Sequence, residues 1–450
     1  MSGVSGPPPP EGAAPPSGAT DPEGTIPPSG ATGLEGAASP SFFSSRWVER
    51  PGHVTELAGG LPAGFRAAGV AAGIKPSGRA DFALLVSDAP DTASAARFTS
   101  SGTAAAPVLL TRDRCHLSKL RAIAANAGCA NAATGARGYE DAARVQAATA
   151  RAVGLEPAQV ALASTGGIRE YLPMAEIESG IAAAAKALRE DGDGDLAGAI
   201  RTTDAFEKRA SLEVTLPSGT VRLCAQAKGA GMIQPQFATM FCFVETDAAF
   251  APETADLLLG VCVKRSFDRI SVDGQLSTND IAVLMASGAS GVRVEPESED
   301  ELRLGEALDA LLRQLAVLIV KDGEGARRIA RVVVSGGHDL HVEGAARAVA
   351  NSPLVKAALH GGDPNWGRIV QSVGMALPGT APLAVDLAIE GVQVCTAGAS
   401  VPYDERALAA AVARDEVEYL VGLPGEGHET EVFFSDLSHD YVTINAEYTT

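Results

Sequence analysis

Aromatic residues are scarce in this chain, at 5% with two tryptophans, so its core cannot rest on large rings. Alanine and glycine dominate instead, and small side chains let layers of helix and sheet pack closely. Positive charge is also short. Lys+Arg number 36 against 55 Asp+Glu, and no basic cluster offsets the formal charge of -19, which argues against a nucleic-acid partner. No apolar run reaches the length of a membrane span. Met1 to Gly12 has neither a basic n-region nor an apolar h-region, so no secretory signal is read there. The six cysteines (Cys115, Cys129, Cys224, Cys242, Cys262 and Cys395) form no Cys-x-x-Cys pair and sit mostly in apolar company. Free, buried thiols in a reduced cytoplasm are the expectation. Phosphate-loop, dinucleotide and nucleophile-elbow patterns are missing. His338-Asp339-Leu340-His341 offers two histidines without a third ligand, so no metal is expected.

What is present begins with a low-complexity stretch. Residues 1–45 are rich in proline, glycine, alanine, serine and threonine, with an imperfect tandem of Pro-Pro-Ser-Gly-Ala-Thr at Pro15 and Pro27. Such a segment buries too little apolar area to offset its ordering entropy, and a disordered tail without a catalytic role is expected. Beyond it, Asp81–Val86, Pro107–Leu110, Ala122–Asn126 and Gln159–Ala163 read as strands. Glu140–Val153 and Met174–Leu188 read as alanine-rich helices. Leu212–Leu216 and Thr220–Ala225 flank Pro217-Ser218-Gly219 as a hairpin. Further on, helices are expected at Ala251–Val263, Ile281–Ala286, Ser298–Ile319, Ala345–Leu359 and Arg406–Ala413. Strands are expected at Ile329–Ser335, Leu383–Ile389, Val392–Thr396, Glu431–Ser435 and Tyr441–Asn445. The mixture gives a layered α/β class.

One stretch organises the rest. Lys228 to Gln236 is rich in glycine and proline and reads as a loop, and Met240 to Val244 is an apolar run that suits a strand buried on both faces. Thr239 stands at the junction behind the small residue Ala238. A threonine there can be a plain strand starter. It can also be a nucleophile, given an adjacent base.

The run Lys228-Gly229-Ala230-Gly231-Met232-Ile233 with Ala238-Thr239-Met240 resembles the self-cleaving segment of the ornithine acetyltransferase (glutamate N-acetyltransferase) family of arginine biosynthesis. Gln236 and Phe237 depart from the family's usual Asn and Met. Other segments carry the resemblance through to the end of the chain: Asn126–Gly135, Ser164-Thr165-Gly166-Gly167-Ile168, Thr202-Thr203-Asp204, Arg269–Gly274 with Ser277–Asp280, Asp322-Gly323-Glu324-Gly325-Ala326, Asn351–Lys356, Gly362–Arg368 and Asp440–Thr450. Read without the family, Ser164–Ile168 is a tight turn, Asn126–Gly135 a glycine turn, and Ser277–Asp280 a helix N-cap region.

The resemblance implies a helix-sheet-sheet-helix sandwich of the N-terminal-nucleophile type. It implies cleavage after Ala238 into an α chain (46–238) and a β chain (239–450) that stay together, as an α2β2 heterotetramer. Thr239 would take the acetyl group of N2-acetylornithine and pass it to glutamate. A freed α-amino group, with a reference pKa of about 7.7–8.0, can serve as the base on the same residue. Thr165 and Gly166 map to the oxyanion hole. Thr202 (with Thr203 a close second), Lys228, Glu324, Asn445 and Thr450 map to substrate contacts. No cofactor is implied, with acetyl-CoA a second donor in bifunctional members. Gly167 and Arg169 replace a usual valine and glycine. The rival expectations are an N-terminal-nucleophile amidase or aminopeptidase on a related fold, with water as acceptor, and a non-catalytic binding protein that has lost processing.

Overall fold

An apolar run with no polar face belongs in the middle of a sheet, and Phe241–Thr246 is buried at all six positions. The computed structural model describes residues 41–234 and 240–447. In it, Phe241–Thr246 pairs antiparallel with Gly219–Lys228 and parallel with Ile281–Ala286. The complete sheet runs Val54–Leu57, Lys208–Leu216, Gly219–Lys228, Phe241–Thr246, Ile281–Ala286, Ala93–Phe98. Lys208–Leu216 and Gly219–Lys228 form the hairpin expected around Pro217.

A second sheet of four strands, Phe65–Val70, Phe82–Ser87, Ala122–Cys129 and Val160–Gly167, faces the first. Alternate residues of both sheets fill the space between them: Ala83, Leu85, Ile123, Ala125, Ala161 and Ala163 from one, Phe241, Phe243, Ile281 and Val283 from the other. The outer face of the six-stranded sheet is covered by helices Pro252–Arg265 and Glu299–Lys321. The outer face of the four-stranded sheet is covered by Ala106–Arg114, Gly135–Val153 and Met174–Ala187. The order is therefore helix, sheet, sheet, helix, as expected. A third, seven-stranded sheet was not foreseen. It joins the strands of residues 329–435 to Ile270–Ser271 and packs on helices Asp339–Asn351, Pro353–Gly361 and Trp366–Ala376.

Several expected elements differ. Pro107–Leu110 lies in a helix, Ala106–Arg114, where Pro107 occupies the first turn and loses no hydrogen bond. Ile281–Ala286 is a strand; six residues buried on every side fit between two sheet neighbours. Ala345–Leu359 is two helices, broken at Ser352-Pro353, with Ser352 Oγ capping the second. Tyr441–Asn445 belongs to a helix, His439–Glu447, whose first turn is capped by Ser438 Oγ accepting from Tyr441 N (3.1 Å). Packing also begins before residue 46. Phe42 and Phe43 lie against the core, Phe42 N donates to Glu56 (2.8 Å), and Ser45 is buried. Among the described residues no helix is long and apolar enough to cross a membrane.

Glu245 shares the inner face of its strand with Phe241 and Phe243. One carboxylate oxygen accepts from Gln226 Nε2 (3.1 Å), and the other makes no geometrically sound hydrogen bond among the described residues. Burial pushes its pKa from 4.5 up to about 8. A raised carboxyl pKa means the folded state holds a proton that the unfolded state has lost. Stability is then fully present below pH 4.5 and lost as pH rises toward 8. Glu245→Gln removes that loss, so the variant should gain on the order of a few kcal/mol over wild type at pH 8 and little at pH 5. Urea unfolding at the two pH values checks this, and parallel pH dependence in both proteins would refute it.

Candidate active site

A cavity of about 580 Å³ opens where the ends of three strands meet several loops. Behind its lining residues Thr202, Thr203 and Lys228 lies a cluster of buried charge. Lys208 is fully buried and its ammonium bridges Asp204 (2.8 Å) and Asp322. Asp204 also accepts from the backbone N–H groups of Gly229 (2.7 Å) and Thr202 (3.0 Å). Both oxygens of Asp322 accept from Ala205 N (3.1 Å). Burial alone would raise Asp204, but Lys228 and Lys208 outweigh it and hold the carboxyl well below the usual range. Burial raises Asp322, against the pull of Lys208. The cluster ties together the 202–205 loop, the end of strand Gly219–Lys228 and the turn that carries Glu324.

Lys228 ends its strand fully buried. Its Nζ donates to Thr202 Oγ1 (2.9 Å) and to Thr165 Oγ1 (3.2 Å). Burial pulls its pKa below the ordinary lysine value, while Asp204 opposes that fall. A hydroxyl that accepts from an ammonium keeps its own proton to give away. Thr165 is therefore set to donate into the cavity.

Beside it the backbone approaches closely. Gly166 has φ +128°, and a Cβ there would lie 2.3 Å from the carbonyl carbon of Gly128. Only glycine fits. Ser164–Gly167, read as a tight turn, is instead the last part of strand Val160–Gly167, parallel to Ala122–Cys129, and the chain turns after it. Ser164 Oγ donates to Asn126 Oδ1 (2.6 Å) across that pair. Arg169 has φ +73°, the left-handed conformation that glycine adopts most easily. Its side chain is exposed and lines no part of the cavity.

The Lys228–Ile233 segment is held by backbone bonds. Glu324 N donates to Ala230 O (3.0 Å), and Asp273 accepts from Met232 N (2.7 Å) and Ile233 N (2.9 Å). Asp280 accepts from Met240 N (2.8 Å), and burial pushes this carboxyl up against the pull of that bond and of the Thr99 and Ser277 hydroxyls. Ser277–Asp280, whose local pattern suggests a helix cap, leads into a strand instead. Carboxylates thus pin the described chain on both sides of residues 235–239. The expected scissile pair, Ala238 and Thr239, and the expected contact Thr450 lie outside the described residues. Glu324 reaches the cavity past Gly231, whose hypothetical Cβ would lie 2.7 Å from Glu324 Oε1. Asn445 Nδ2 donates to Glu324 Oε2 (2.7 Å) from the C-terminal helix.

The structure therefore brings Thr165, Gly166, Thr202, Lys228, Glu324 and Asn445 to one cavity, with Thr203 also on its wall. Sequence reasoning gave no role to Asp204, Asp322, Asp273 or Asp280, and noted Lys208 only as a lysine position shared with the family it resembles. Their signal was charge set among buried apolar residues. Among the described residues no group of histidines, cysteines and carboxylates could hold a metal.

A model described as the ArgJ family matches residues 66–450. The arginine biosynthesis bifunctional protein ArgJ of Symbiobacterium thermophilum is 43% identical over 400 residues, covering 88% of this chain and 99% of that protein. The protein of the same name from Thermus thermophilus is 42% identical over 399 residues, covering 87% and 99%. A solved ornithine acetyltransferase from Mycobacterium tuberculosis, complexed with ornithine, is 38% identical with a TM-score of 0.38, covering 40% of this chain and 98% of that chain.

The buried cluster gives a stability test. Lys208→Met strands two carboxylates that share one ammonium. Loss of one partner of a buried pair costs about 3–5 kcal/mol. Urea unfolding of the variant should show a loss of that order, and a change below about 1 kcal/mol, the scale of an exposed pair, would show that the cluster does not hold the loops.

Proposed function

The chain belongs to the ArgJ family, the acyltransferases of arginine biosynthesis, and from that premise we propose that it moves an acetyl group from N2-acetylornithine to glutamate by way of Thr239. The observation that carries this reading is the Lys228 ammonium shared between the Thr165 and Thr202 hydroxyls on the wall of a cavity that Glu324 and Asn445 also line. In the scheme, Thr239 Oγ1 first attacks the Ala238 carbonyl, and water hydrolyses the resulting ester. The freed α-amino group of Thr239 then acts as base for its own hydroxyl. That hydroxyl attacks the acetyl carbonyl of N2-acetylornithine. The Thr165 hydroxyl and the Gly166 N–H receive the oxyanion, ornithine leaves, and an acetyl ester remains on Thr239. The amine of glutamate attacks the ester and restores the threonine. Lys228 and Thr202 hold the backbone end of the amino acid, with Thr450 assigned to the same work by family likeness. Glu324, held by Asn445 (2.7 Å), would receive the ornithine ammonium. The scheme calls for no cofactor.

Cleavage after Ala238 would not release two separate bodies. Strand Gly219–Lys228, before the cut, pairs with Phe241–Thr246, after it. Ala93–Phe98 pairs with Ile281–Ala286 in the same sheet. We take the assembly to be α2β2, in line with the family likeness. Six free cysteines fit a reducing cytoplasm.

Purified protein incubated with N2-acetylornithine should give N-acetylglutamate when glutamate is present and should not release acetate steadily when it is absent. Steady acetate release would make water the acceptor and the protein an amidase. Acetyl-CoA with glutamate, run in parallel, tests the second donor. Thr239→Ala should leave one full-length chain on a denaturing gel. Thr165→Ala removes one oxyanion donor and should slow both cleavage and transfer by on the order of 10²–10³. Wild-type rates in Thr165→Ala would reduce Thr165 to a structural role.

A further inference from the structure

The reading above passes two amino acids through one cavity. Ornithine and glutamate share an α-amino acid end, but their side chains finish in an ammonium and a carboxylate. A group that suits one repels the other. Glu324 suits the ammonium, so the cavity needs a second, positive end for glutamate.

The cationic side chains that line it are Lys75, Arg79 and Lys228. Lys228 is buried and engaged by Thr165 and Thr202. Lys75 and Arg79 remain, and both come from the loop between strands Phe65–Val70 and Phe82–Ser87. That loop is built around a buried carboxylate: Asp81 accepts from Ala72 N (2.6 Å), Ile74 N (2.6 Å) and Lys75 N (2.8 Å). It also packs beside the proposed oxyanion site. A Cβ on Gly128 would lie 2.9 Å from Ile74 Cγ2 and 3.3 Å from Lys75 Cγ, and Gly128 is the residue against which Gly166 fits. Lys75 Nζ donates to Ala80 O (2.8 Å) and keeps two further donors. Burial, joined by Arg79 and Lys228 and opposed by Asp81, brings Lys75 down to about 8, so it remains mostly charged at neutral pH. The exposed Arg79 guanidinium donates to Ser77 Oγ (3.4 Å) and forms no ion pair among the described residues. Glu170, the other acidic residue lining the cavity, stands against Gly167.

We propose that Lys75 and Arg79 form the carboxylate end of the cavity and seat the side chain of the acceptor glutamate, opposite in charge to the Glu324 end that receives ornithine. This rests on the acetyl-transfer reading. Both residues are specificity determinants for the second half of the reaction.

The test compares glutamate with glutamine, its uncharged isostere, as acceptor, using N2-acetylornithine as donor. Wild type should prefer glutamate. Arg79→Gln and Lys75→Met should each lower kcat/KM for glutamate by on the order of tenfold, the scale of a lost charge-assisted hydrogen bond. Glutamine should be affected far less, so the preference collapses. KM for N2-acetylornithine should move much less than KM for glutamate, and Arg79→Lys should recover part of the loss. Equal losses for glutamate and glutamine, or an equal rise in the KM of donor and acceptor, would overturn the assignment and leave acetyl transfer standing. A wild type that transfers acetyl to neither acceptor would overturn both.

Discussion

A single ammonium, that of Lys228, links the parts of this site. It is buried at the end of a central strand and donates to threonines from two different segments. Neither contact would hold its geometry on a mobile support. The support is the cluster of Asp204, Lys208 and Asp322, in which Asp204 also fixes the backbone at Gly229, next to the lysine. Buried ion pairs contribute little net stability compared with apolar packing. What this one supplies is position, because each carboxylate also takes a backbone N–H from a segment beside the cavity.

The sandwich is suited to the cut proposed after Ala238, because the two pieces would share a sheet. The strands before and after residues 235–239 are neighbours in one sheet, and their side chains enter both of its cores. The described ends are held by Asp273 on one side and Asp280 on the other. The proposed cut would leave both flanking strands in their sheet, and strand Val160–Gly167 on the other side of the cavity is held by its parallel partner.

Much of this was legible in the sequence. Buried runs such as Phe82–Ser87 and Phe241–Thr246, and the hairpin at Pro217, follow from pattern and turn chemistry alone. Short apolar runs were less readable. Pro107–Leu110 and Ile281–Ala286 are each too brief for periodicity to separate helix from strand, and tertiary neighbours decided both. Tyr441–Asn445 has β-branched residues that suggest a strand, yet the Ser438 cap and docking against Gly325 favour a helix. That Thr165, Gly166, Thr202, Lys228, Glu324 and Asn445 belong together was legible through family likeness, and they line one cavity. The charge cluster beneath them was not, because Lys208 and Asp322 are 114 residues apart and their pairing exists only in the fold.

The central claim is that one threonine, served by the Lys228–Thr165 pair, carries the acetyl group between two amino acids. The most direct measurement is the intact mass of the protein after acid quench, following incubation with N2-acetylornithine and no glutamate. The account predicts that the chain beginning at Thr239 gains one acetyl group, that peptide mapping places it on Thr239, and that added glutamate removes it. An unmodified chain under single-turnover conditions, or an acetyl group on any other residue, would contradict it.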